Sequence, residues 1–71
     1  MNKEIKNYFD DSKRKINDAQ NKVIVKSIVR HSKDFLKSIE DSDSPRATRK
    51  YAYHQYLTLK RLADRKISLL S

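Results

Sequence analysis

Between Tyr51 and Leu70 the apolar residues Tyr51, Ala52, Tyr56, Leu59, Leu62, Ala63, Ile67, Leu69 and Leu70 recur at spacings of three and four. At about 100° per residue they fall within one sector of roughly 160°, the pattern of an amphipathic helix that lays one face on a core. Its beginning is marked by Asp41-Ser42-Asp43-Ser44-Pro45, which contains the only proline of the chain. Ser44 can cap the free amides of a new helix, and Pro45 suits its first turn, where no amide hydrogen is needed. A helix over about residues 45 to 70 is predicted.

The first 41 residues contain neither Gly nor Pro, but their apolar phase does not fit one straight amphipathic helix. Ile5, Phe9, Ile16 and, slightly off, Tyr8 mark one face. Val25, Ile28, Val29, Phe35, Leu36 and Ile39 mark another, turned by about 180° on the same wheel. The stripe changes sides near residues 17 to 24. Asn17 as N-cap with Gln20 three residues later resembles a capping box, so the favoured division is three helices, at about 3 to 16, 18 to 41 and 45 to 70. The fold class expected is all-α: a small bundle of two long helices in an antiparallel hairpin plus a shorter N-terminal helix, forming one domain over residues 1 to 71. The alternative is one long first helix whose ends meet different partners, giving a two-helix hairpin that dimerises.

Composition narrows this further. The chain has 71 residues, of which 37% are apolar, and it has no Gly, Cys or Trp. Without cysteine there is no disulfide framework, thiolate nucleophile or Cys-based zinc site. Without glycine there is no P-loop or dinucleotide fingerprint, and tight hairpin turns become costly. No run approaches the roughly 18 apolar residues that span a bilayer, and no signal-peptide pattern opens the chain, so a cytoplasmic protein is expected. With so small a core the folding balance of a lone monomer lies near zero, so self-association into a homodimer, or binding to a partner, is expected.

Charge changes the picture most. The formal net charge is +8, yet residues 1 to 21 and 22 to 44 carry five basic and four acidic groups each. Residues 45 to 71 carry seven basic groups against Asp64 alone, and so hold six of the eight net charges. On the predicted helix Arg46, Arg49, Lys50, Lys60, Arg61 and Arg65 lie within about 100° to either side of Arg46, opposite the apolar stripe. A helix that is merely solvated mixes signs, as the first two segments do. A face nearly all of one sign can follow a phosphate backbone, releasing a counterion at each phosphate it neutralises.

Tyr53 and Leu57 fall in the middle of that basic face. A tyrosine among cations can stack on an unpaired base, and a leucine there can touch a thymine methyl or an apolar pocket of a protein. The competing explanation packs both against a third helix or a second subunit. The candidate surface is therefore Arg46, Arg49, Lys50, Tyr53, Leu57, Lys60, Arg61 and Arg65.

Other chemistry is weakly supported. Ser44 to Arg49 has the look of the start of a recognition helix, but the helix before it is far too long for an ordinary helix-turn-helix. Pro45, Arg49, Lys50 and Ala52 are similar to positions in the C-terminal half of a small basic helical protein of the bacterial ribosome; four such common residues do not establish membership of that family. His31 and His54 lie on different helices without a second ligand at metal spacing, so no metal is expected. Asp10 and Asp11 diverge by about 100° on a helix, poor geometry for a shared catalytic task, and Glu40, Asp41 and Asp43 serve better to end a helix and repel a wrong partner. An apolar face interrupted by Gln55 and Lys66, with no Trp, argues against lying on a membrane. The function expected is a non-enzymatic protein without cofactor or small-molecule substrate, binding DNA or RNA in a regulatory, structural or ribosome-associated role. The alternative is an adaptor or inhibitor, such as a small factor of a phage or mobile element, docking on an acidic surface of a larger protein.

Overall fold

The computed structural model describes residues 2 to 70. It contains three helices: α1 (Asn2–Asp18), α2 (Lys22–Glu40) and α3 (Arg46–Leu70). At 1.5 Å rise per residue α3 is about 37 Å long, and it sets the long axis of a body measuring 40 × 18 × 14 Å. α3 packs against both other helices more extensively than they pack against each other. α1, with 17 residues, is the shortest of the three helices, as expected, though only slightly shorter than the 19 of α2.

The break between α1 and α2 is present, but four residues later than the Asn17–Gln20 pattern suggests. α1 continues to Asp18, and the Ala19 amide then donates to the Ile16 carbonyl at 3.1 Å. This places the Ala19 methyl in the core, where it is 6% exposed. Asn21, in extended backbone, is the cap of α2, its side-chain oxygen accepting from the Ile24 amide at 3.0 Å. Such a cap contributes about 1 kcal/mol. A continuous first helix of 40 residues is therefore excluded, and the 180° disagreement between the two apolar faces is resolved by the turn at residues 19 to 21.

The second turn works without glycine. α2 ends at Glu40, where the Asp41 and Ser42 amides donate to the Lys37 and Ile39 carbonyls, and Ser42 Oγ donates to Ile39 O at 2.7 Å. α3 opens at Arg46, one residue later than expected, and the Pro45 carbonyl accepts from the Arg49 amide at 3.1 Å. No described residue takes a positive φ, consistent with a chain that never needed the left-handed region.

The core draws on all three helices. Ile5, Phe9 and Ile16 of α1 meet Val25, Leu36 and Ile39 of α2 and Ala52, Leu59 and Ala63 of α3. The three largest fully buried side chains, Phe9, Ile5 and Ile16, belong to α1, so α1 is a full partner in the core and not only a cover on the other two helices. Tyr8 stacks on Phe35 with centroids 3.9 Å apart, and Phe9 meets both rings edge-on. Ser12 and Ser32 are buried with hydroxyls donating one turn back, to Tyr8 O and Ile28 O, so neither leaves a polar atom unsatisfied.

One expectation for the α3 stripe is corrected. Leu69 is 77% exposed, because it lies on the edge of the apolar sector in the last turn of the helix. Lys66, which interrupts the stripe, extends its ammonium to the Asn17 carbonyl at 2.8 Å. There a cation meets the negative end of the α1 dipole, so the interruption ties α1 to α3.

Candidate nucleic-acid interface

The orientation of α3 follows from its buried positions. Thr48, Ala52, Leu59 and Ala63 are the buried residues of this helix, and at about 100° per residue they centre the core side opposite Arg46. Arg46, Arg49, Lys50, Tyr53, Lys60, Arg61 and Arg65 are accordingly exposed together on the outer face. Leu57 is half-buried, yet it is not among the side chains packed on the core. Tyr53 is likewise outside the core cluster, so neither side chain belongs to the packed interior of the three helices.

Two depressions lie along α3. The larger, about 510 Å³, is lined by Arg46, Arg49, Lys50 and Tyr53 of α3 and by Glu40 at the end of α2. The smaller, about 220 Å³, is lined by Thr58, Arg61, Leu62 and Arg65. Glu40, Thr58 and Leu62 were not among the candidate residues. A pattern read along one helix does not see across a turn, but the five residues between Glu40 and Arg46 bring Glu40 close to the start of α3.

The electrostatics separate α3 from α1. In α1 the charges neutralise one another: Lys6 binds Asp10 at 2.8 Å, and Asp11 holds both Arg14 and Lys15. The Arg14 and Lys15 hydrogen bonds keep the Asp11 carboxyl below its ordinary pKa, and Lys6 does the same for Asp10. Among the described residues these are the ion pairs present, so the cations of α3 have no carboxylate partner. The first turn of α3 carries no acidic residue. Arg46, Arg49 and Lys50 thus crowd the positive end of the helix dipole, where a cation is disfavoured and an anion is welcome. No packing role offsets that cost.

The acidic pairs of α1 make one prediction. A carboxyl whose pKa is lowered by folding contributes stability above its unfolded pKa and loses it as pH falls through the folded value. The melting temperature is therefore expected to fall below about pH 4, by a small amount because these pairs lie at the surface, where solvent screens them. Asp11→Asn should flatten that fall in thermal melts followed by circular dichroism. An unchanged acid profile would show that the pairs carry no folding energy.

Among the described residues no group of three or more His, Cys, Asp or Glu is placed to hold a metal ion, and no helix is long and apolar enough to cross a membrane. The fold and face together define a small three-helix protein whose longest helix carries an exposed cationic side without an ion pair among the described residues. Comparison of the chain with protein-family models, curated proteins and solved structures finds no match.

Proposed function

We propose that this is a small non-enzymatic nucleic-acid-binding protein, acting in the cytoplasm without a cofactor, in a regulatory, structural or ribosome-associated setting. The observation that carries this reading is the outer face of α3: six exposed cations without an ion pair among the described residues, three of them near the positive end of the helix dipole. Exposed charge mostly of one sign, in which Asp64 is the one acidic residue of α3, is relieved by a polyanion. Tyr53 and Leu57 add an aromatic and an apolar contact within the same strip.

The whole chain acts as one helical domain, with α2 and α3 as an antiparallel hairpin. Supporting that arrangement, Lys66 near the end of α3 reaches Asn17 at the end of α1, while Tyr8 in the first half of α1 stacks on Phe35 in the second half of α2. α1 then runs with α3 and against α2.

The test is a gel shift with mixed DNA and RNA, run beside a pull-down from lysate. Retarded nucleic acid that is released by added salt supports the proposal. A stoichiometric protein partner, with no nucleic acid held at about 50 mM salt, overturns it in favour of an adaptor docking on an acidic protein surface.

A further inference from the structure

We propose that the depression between the end of α2 and the first two turns of α3 is a pocket for one unpaired nucleotide, so that the protein prefers single strands to duplexes. This rests on the nucleic-acid reading above and adds which form of nucleic acid is bound and where the base sits. The base lies on the Tyr53 ring, and the phosphates on either side are held by Arg46, Arg49 and Lys50.

Three observations meet at this place. Of the four tyrosines, Tyr8, Tyr51 and Tyr56 pack against the core, whereas Tyr53 is 46% exposed. Its ring meets only the neighbouring His54 of α3, edge-on at 6.2 Å, among the described ring contacts, and is not part of the packing of the core. Second, Arg49 and Lys50 lie four and three residues before Tyr53, and Arg46 lies seven before it. These are the spacings that set side chains above one another on a helix, and they cover about 10 Å of its axis. Third, these four border one shallow, open depression of about 510 Å³, broad enough for a flat ring to lie in it.

The fifth wall decides what kind of anion fits. Glu40 comes from α2 and, among the described residues, makes no ion pair with the cations opposite. A carboxylate repels a bare polyphosphate, but it can accept a hydrogen bond from the exocyclic amine of a base. The wall residues thus suit a ligand that is anionic on one side and a flat, amine-bearing ring on the other. A duplex holds its bases inside the stack and presents no free ring to Tyr53. The second depression has Arg61 and Arg65 but no aromatic side chain, and serves as a backbone contact.

The chain contains no tryptophan, so Tyr53→Trp places a single reporter in the pocket. This variant is titrated with a single strand of about 12 nucleotides, with a duplex of equal length and with inorganic pyrophosphate, binding of the strands being followed separately by anisotropy of a labelled strand. The single strand is expected to quench the tryptophan, and the duplex and pyrophosphate are expected to leave it unchanged. In the same assay Tyr53→Ala should weaken single-strand binding by about 5- to 150-fold, with duplex binding changed less than about twofold and Tyr53→Phe restoring the native value. Circular dichroism checks that each variant keeps its helix. Bound single strand with an unquenched tryptophan, or equal losses on strand and duplex, overturns the pocket and leaves the face of α3 as a nucleic-acid surface. Quenching by pyrophosphate reduces it to a phosphate site and also overturns it. No binding of strand or duplex by the native chain overturns both readings together.

Discussion

Replacing Arg49, Lys50 and Arg61 together by glutamate is expected to weaken nucleic-acid binding by at least about 100-fold at moderate salt. Three reversals, each worth two charges, take the formal net charge from +8 to +2. Every phosphate that is no longer neutralised withholds its share of the counterion release, so the salt dependence that remains should be shallower by about two units for a single strand. The fold should survive. All three side chains are exposed, and none belongs to an ion pair; surface changes of this kind usually fall within about 0.5 kcal/mol. A glutamate at position 49 also sits better near the positive end of the α3 dipole than the arginine does. Binding that persists in a variant with native helical content would place the binding face elsewhere on the molecule. Because an acidic protein would lose the same three cations, this variant tests the surface and leaves the class of partner to the gel shift.

The second large effect concerns the core. Phe9→Ala is expected to destabilise the chain by about 3–5 kcal/mol, the usual cost of truncating a fully buried phenylalanine. Phe9 is 0% exposed and touches both rings of the Tyr8–Phe35 stack, at centroid distances of 5.3 and 5.8 Å. A single core in a chain of this size rarely supplies more than about 3–5 kcal/mol in total. Thermal melts should therefore show loss of the cooperative transition, where Tyr53→Ala on the outer face should leave it nearly in place. If Phe9→Ala melted like the native chain, α1 would not be the full core partner that its buried residues indicate.

How much of the fold is legible in the sequence varies from element to element. Helix α3 is readable to within one residue, because a long stripe at three-and-four spacing preceded by a proline leaves few alternatives. That α1 and α2 must part is visible in the reversal of phase between Phe9 and Val25. Where they part is not, because Asn17 and Asn21 offer equally good capping side chains. The choice is made by tertiary packing: with Asn21 as the cap, the Ala19 methyl enters the core and Asn17 keeps its carbonyl for Lys66. Leu69 is misplaced by the pattern because a wheel shows the angle of a residue and not where its packing neighbours run out.

The candidate surface is legible for a related reason. The angular positions of Arg46, Arg49, Lys50, Lys60, Arg61 and Arg65 depend only on α3 being a continuous helix, and it is one. Glu40 reads in the sequence as a helix stop because its approach to Tyr53 depends on how the turn at residues 41 to 45 folds back. The same turn brings a carboxylate into a cationic face, and so makes the larger depression different in kind from the smaller one.

The central claim, that the outer face of α3 binds nucleic acid through its unpaired cations, is tested most directly by the affinity of the native chain for a single strand as salt is raised from about 50 to 200 mM. Engagement of roughly four to six phosphates by that face predicts that log K falls against log salt with a slope of about −3 to −4, a loss of about 60- to 250-fold over this range. A slope near zero, or no binding at the lowest salt, would contradict it.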